Sequence, residues 1–261
     1  MSEWVAVQKS EHKDTRWVKH SHYRFAQGDA LVPVLLAELS ELLPFYPLAF
    51  VATEEGFQLV ALQSIQPGIN FYLNAEGRWR VPYVPSAYRS HPFMLAPKNA
   101  DEYILCLDQA SEFVVQDGTE GEPLFNEQTE LTESVMQILD FLQQCQANKK
   151  NTQQAVDLLA KHNLIVPWPI EQAQQEASVP VKGVYQIDVA ALKQLGGEAL
   201  AELNQQAALE LAYAQLHSKP RLKNFEQLAK LHQQEQQQAQ TAEELDLDQL
   251  FGEQDEDMFR F

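Results

Sequence analysis

The sequence predicts an α+β protein: a mostly antiparallel sheet in the N-terminal half, packed with a helical C-terminal half and followed by a disordered acidic tail. Three observations carry this. Short apolar runs punctuated by turn residues fill positions 48–115. After Gly118-Thr-Glu-Gly121 the apolar residues change to helical spacing. Within the first of these regions lies Gly77–Phe93, a stretch of prolines, arginines and aromatic rings that suits neither a helix nor a central strand, because proline lacks the backbone N–H.

In order, His20–Phe25 alternates weakly and reads as a strand. Val32, Leu35, Leu36, Leu39, Leu42 and Leu43 recur at helical spacing, with Glu38 and Glu41 on the other side. Asp29 is the expected N-cap of that helix, with Pro33 tolerated in its first turn. Leu48–Thr53 and Phe57–Leu62 flank Glu54-Glu55-Gly56, a hairpin signal with Gly56 free to take positive φ. Ile69–Leu73, Tyr103–Leu107 and Glu112–Val115 are the further expected strands.

In the second half, Leu131, Val135, Ile138, Leu139 and Leu142 trace one helical stripe, with Thr129 as the expected cap. Asn151 and Gln154 have the spacing of a capping box for a second helix. Val184–Ile187 is strand-like, Asp188 caps a short helix, and Gly196-Gly197 ends it. Leu200, Leu203, Ala207, Leu211 and Ala214 line a longer helix that Pro220 breaks, and Leu222 to Leu231 start another. The organisation is therefore a sheet-rich portion at 1–125, a helical portion at 126–232 and a Gln-rich acidic tail at 233–261. The tail holds too little apolar surface to offset its ordering entropy. Its apolar islands, Leu247, Leu250, Phe251, Phe259 and Phe261, suit a docking peptide that orders on a protein partner.

The net charge of −18 argues against nucleic acid or anionic lipid as a partner, since both need a positive field. A protein or peptide partner is expected instead. Cys106 and Cys145 lie far apart with no CxxC spacing, and Cys106 sits in an apolar run, so a reducing compartment is the default. The N-terminal residues lack a secretory pattern, and no run of about 18 apolar residues occurs. A cytoplasmic, soluble protein without a membrane span follows. Phosphate-loop, dinucleotide and nucleophile-elbow motifs are missing from the sequence, and no cofactor is implied.

The ordered series Pro33-Val-Leu-Leu-Ala-Glu-Leu39, Tyr46-Pro-Leu-Ala-Phe50, Asn70-Phe-Tyr72, Gly77-Arg-Trp79, Tyr83-Val-Pro85 and Arg89-Ser-His-Pro-Phe93 resembles the signature of the SapC family. Ile104–Asp108, Gly183–Asp188 and Ala212–Ser218 extend the resemblance, which covers about 25–230. His91 stands where an aromatic residue is usual before the proline, and the acidic tail is a further departure. The resemblance implies a link to bacterial surface-layer gene clusters. Other relatives lie beside flavin-dependent halogenase and outer-membrane receptor genes, and some are described as transporter-like. No catalytic residues carry over.

Two readings of 77–93 stand side by side. In one it is a rigid cover whose Trp79, Tyr83, Tyr88 and Phe93 complete a core while Arg78 or Arg89 pairs with an acid such as Asp108. In the other Trp79, Tyr83, Arg89, His91 and Phe93, with Asn70 and Asp108 beside them, form a recognition surface for a peptide, a protein carboxylate or a small aromatic acid. The functional expectation is a non-catalytic binding or accessory protein. The alternatives are a metal-dependent oxygenase-like enzyme built on His12, Asp14 and a further histidine such as His91, and an exported surface-layer component. His20-x-His22 places two imidazoles at the same short spacing.

Overall fold

A computed structural model of the chain describes residues 2–99, 102–116, 118–173, 178–181 and 183–252, and for 171–181 and 239–252 the backbone only. The strands are β1 (Trp4–Ala6), β2 (Arg16–Trp17), β3 (Leu31–Pro33), β4 (Leu48–Thr53), β5 (Gly56–Leu62), β6 (Phe93–Pro97), β7 (Tyr103–Asp108), β8 (Val114–Val115), β9 (Glu122–Pro123), β10 (Ile165–Pro167), β11 (Ile170–Ala173), β12 (Ser178–Val181) and β13 (Val184–Ile187). The α-helices are α1 (Leu39–Leu42), α2 (Ser86–Arg89), α3 (Glu133–Lys161), α4 (Val189–Lys193), α5 (Gly197–Gln205), α6 (Ala208–Ser218) and α7 (Asn224–Gly252). The architecture is α+β, as the sequence predicts.

The hairpin at Glu54-Glu55-Gly56 forms as expected, with Gly56 at φ 138°. It lies inside a five-stranded antiparallel sheet ordered β10-β13-β4-β5-β3. Two of these strands come from the helical half of the chain, so the core interleaves both halves. Tyr46, Phe50, Leu59 and Leu62 from the first half share one buried cluster with Leu159, Leu164, Ile187 and Leu211 from the second. Helix α3 lies on β5, and α6 lies on β13 and β4.

A second, smaller core sits under the three-stranded sheets β1-β7-β6 and β8-β2-β9. Trp17, Phe93, Leu107, Leu124, Phe125 and Val135 form it. The Trp17 and Phe93 rings meet edge to face at 5.2 Å. Helix α3, about 43 Å long at 1.5 Å per residue, joins the two cores. Its first turns pack Val135, Ile138 and Leu142 on the smaller core, and Ala155, Val156 and Leu159 enter the larger one.

Several local expectations are corrected. The helix over Val32–Leu43 is only a short 3-10 turn at Leu36–Glu38 followed by α1, and Leu31–Pro33 is an edge strand on β5. Pro33 suits an edge, where its missing N–H leaves no ladder bond unmade. Asp29 caps nothing, and its carboxylate accepts from the Tyr88 hydroxyl. Residues 24–26 form a 3-10 turn rather than a strand. Ile69–Leu73 makes turns and a single bridge from Leu73 to Trp79. The stretch 143–154 contains no Gly or Pro, so nothing interrupts α3 at Asn151, and the helix starts after Thr132 rather than Thr129. The expected long helix over 200–214 is divided into α5 and α6 at Ala207, whose φ is 55°. Asp188 caps α4 as expected, accepting from the N–H groups of Ala190 and Ala191. Among the described residues no helix is long and apolar enough to cross a membrane.

Candidate functional site

The 77–93 stretch is held from beneath by a buried carboxylate. Glu38, only 5% exposed, takes four hydrogen bonds. Its Oε1 accepts from the Tyr83 hydroxyl at 2.8 Å and the Ser86 N–H at 2.7 Å. Its Oε2 accepts from Ser86 Oγ at 2.8 Å and the Leu35 N–H at 3.0 Å. Each lone-pair direction is thus occupied, which is how a buried acid is accommodated without a cation beside it. Sequence periodicity puts Glu38 on the helix face opposite the apolar positions, whereas here it is buried. The correction has a physical cause: three of its four donors come from Tyr83 and Ser86, far away in sequence, and leave no local signal.

A second relay runs through the aromatic rings. The Trp79 indole N–H donates to the Tyr46 hydroxyl, which donates to the Tyr83 carbonyl at 2.7 Å. Tyr46 stacks on Tyr72 at 4.4 Å, and the Tyr72 hydroxyl donates to the Phe45 carbonyl. Burial pushes the hydroxyls of Tyr46, Tyr72, Tyr83 and Tyr88 above the ordinary phenol range, so all stay protonated donors. Glu38 adds to the effect at Tyr83, and Asp29 at Tyr88.

The residues singled out from the sequence separate into groups. Trp79 and Tyr83 are partly buried and pack against the larger core. Asn70 is 1% exposed, donates to the Ala26 carbonyl and accepts from the Tyr72 N–H. Asp108 is 4% exposed and accepts from the Glu3 N–H at 2.7 Å. The pairing of Asp108 with Arg78 or Arg89 is not made. Arg89 is exposed, donates to the Val84 carbonyl, and lies 4.5 Å from the Tyr83 ring centroid. Arg80 instead pairs with Glu235 of α7 at 2.7 Å. Leu247, Leu250 and Phe251 fall on the backbone of the last turns of α7, and Phe259 and Phe261 lie outside the described residues.

His91 and Phe93 are brought together on the wall of a cavity of about 450 Å³. It lies where the two cores meet, between α2, β6, the start of β3–α1 and one face of α3. Trp4, Phe25, Tyr88, His91 and Phe93 supply rings, and Val34, Leu35, Leu59, Met94, Leu95 and Leu142 supply aliphatic surface. Helix α3 presents Leu142, Cys145, Gln146, Lys149, Thr152 and Gln153 at three- and four-residue spacing. That stripe changes from apolar to polar along the helix, a signal present in the sequence that apolar periodicity alone does not register.

The imidazole of His91 stacks on Phe25 at 3.8 Å, and its Nε2 meets Ser111 Oγ at 2.9 Å. Its backbone carbonyl accepts from His20 Nδ1–H at 3.0 Å. Burial pushes the His91 ring down to about 4, against the opposing pull of Asp108 and with a small contribution from His20. His20 is lowered in the same way, by burial first. Both rings are therefore neutral near pH 7. The Cys145 thiol is raised by burial, which keeps it protonated.

The oxygenase constellation is not assembled. His12 is buried against Gln8, and among the described residues no group of three His, Cys, Asp or Glu side chains could hold a metal ion.

The fold and the cavity together define an α+β protein with a ligand-sized, largely apolar pocket roofed by a long helix. The SapC family model matches residues 7–228 of the 261, and the chain belongs to that family. No curated protein and no solved structure matches the chain.

Proposed function

We propose that this chain is a non-catalytic binding protein of the SapC family, an accessory to bacterial surface-layer or outer-membrane receptor systems, and that its ligand occupies the cavity between α2, β6 and α3. The single observation that carries the binding reading is the cavity itself. Its volume of about 450 Å³ falls within the usual range for small-molecule sites, and its lining is mostly apolar with a few polar groups. The walls are stiff. Phe93 is anchored in the smaller core, and α2 is pinned to Glu38 through Ser86. A pre-formed site loses little entropy when it fills.

The link to surface systems rests on family membership. In this reading the acidic tail, with Leu247, Leu250, Phe251, Phe259 and Phe261, makes the contact to a protein partner.

The test is a thermal-shift screen of small molecules against the wild type and Ala87→Trp. Ala87 is exposed at the cavity wall, so the indole narrows the cavity without disturbing a core. Compounds that raise the wild-type Tm by a few degrees are expected to lose that effect in the variant. Compounds that stabilise both proteins equally would sink the cavity reading. For the surface link, cross-linked capture from native cells should recover receptor or surface-layer components. Recovery of nothing beyond control captures would remove that part alone.

A further inference from the structure

We infer that the cavity takes a small aromatic carboxylate, with the ring system against Trp4, Phe25 and His91 and the carboxylate at Lys149. This rests on the reading of the cavity as a ligand site.

The charge on the wall is the first argument. The chain carries −18 net charge, yet no Asp or Glu lines this cavity, and Lys149 is its one formally charged lining residue. Lys149 forms no ion pair among the described residues. The acids of this face, Glu54, Glu55 and Asp157, line the adjoining groove, which Lys149 and Lys150 also border. An anion entering the cavity meets a cation at its polar end and no exposed carboxylate; the nearest, Glu38, lies behind Ser86 and Leu35 with its oxygens already hydrogen-bonded. A cation entering meets repulsion at that end.

Ring placement is the second argument. Trp4 is 42% and Phe25 36% exposed, a large apolar area for two rings that line a concavity. Phe25 stacks face to face on His91, so the two rings are held as a fixed pair on the cavity wall. The His91 ring is neutral and brings no competing charge to that pair. A planar aromatic body covers such rings by offset stacking or edge contact. At the other end, the Lys149 ammonium offers three donors to a carboxylate. The aliphatic residues of the wall, Leu142 among them, fit the apolar body of such a ligand.

The experiment compares three probes of one shape by titration calorimetry: naphthoate, naphthylmethanol and naphthylmethylammonium. Naphthoate is expected to bind about tenfold more tightly than the alcohol, with the ammonium weakest. Lys149→Met, at an exposed position, is expected to bring naphthoate to the affinity of the alcohol while leaving the alcohol unchanged. The His91 ring resonances are expected to shift on binding in both proteins. If the alcohol or ammonium binds as tightly as naphthoate, or Lys149→Met leaves the preference intact, the carboxylate assignment is overturned while the cavity reading stands. If no probe binds, or binding leaves His91 unperturbed, the ligand assignment fails together with the cavity it rests on.

Discussion

The Tyr83 hydroxyl donates to Oε1 of Glu38 at 2.8 Å, joining the aromatic stretch to a carboxylate 45 residues earlier in the chain. With Ser86 on the same carboxyl group, this contact makes 77–93 a fixed wall of the cavity rather than a free loop.

Removal of that carboxylate should therefore be costly. In Glu38→Ala, the Ser86 N–H, the Leu35 N–H and two hydroxyls lose their acceptor in a buried site, a loss of about 3 kcal/mol. Tyr83→Phe removes one donor and leaves three in place, so about 1 kcal/mol is expected. Urea unfolding checks both. A Glu38→Ala protein within about 0.5 kcal/mol of wild type would show that the network contributes nothing net.

The depressed His91 ring predicts a pH dependence of stability. The folded state holds this imidazole neutral down to about 4, whereas an unfolded histidine protonates near 6.5. Between those values the unfolded state binds the extra proton, so the His91 contribution is complete above pH 6.5 and is lost as the pH falls towards 4. After discounting for partial exposure the loss is about 2 kcal/mol. Unfolding free energies of wild type and His91→Gln measured at about pH 7.5 and about pH 5 should differ in slope, with the variant flatter. Parallel curves would exclude His91 as the source.

The first half of α7 clasps residues 71–80, and its loss should be felt there. Glu235 accepts from Arg80 and from the Ala75 N–H, while Phe225 and His232 lie against Phe71. Deletion of 239–261 leaves this clasp whole and should change stability by less than about 0.5 kcal/mol. Deletion of 233–261 leaves Arg80, with its side chain 14% exposed, without its carboxylate and should cost about 2 kcal/mol. Denaturation midpoints of the two truncations decide it: equal midpoints would mean that the clasp is energetically neutral.

What the sequence determined by itself was local. Glu54-Glu55-Gly56 between two apolar runs specified a hairpin, because a turn needs only its own few residues. Asp188 specified a helix start, because a cap acts on the N–H groups two and three residues on. The ordered motifs from Pro33 to Phe93 pointed to the SapC family. Tertiary structure decided what depends on distant partners. Pro33 lies on a strand because β5 offers it an edge, against a helical spacing that fitted equally well. Val184 pairs with Val51, which merges the two halves into one sheet. Glu38 is buried because Tyr83 and Ser86 bring donors to it. His91 and Lys149 share a cavity wall only because α3 spans both cores. Backbone turns and caps are short-range and stay legible, whereas burial and charge environment arise from residues that only folding brings together.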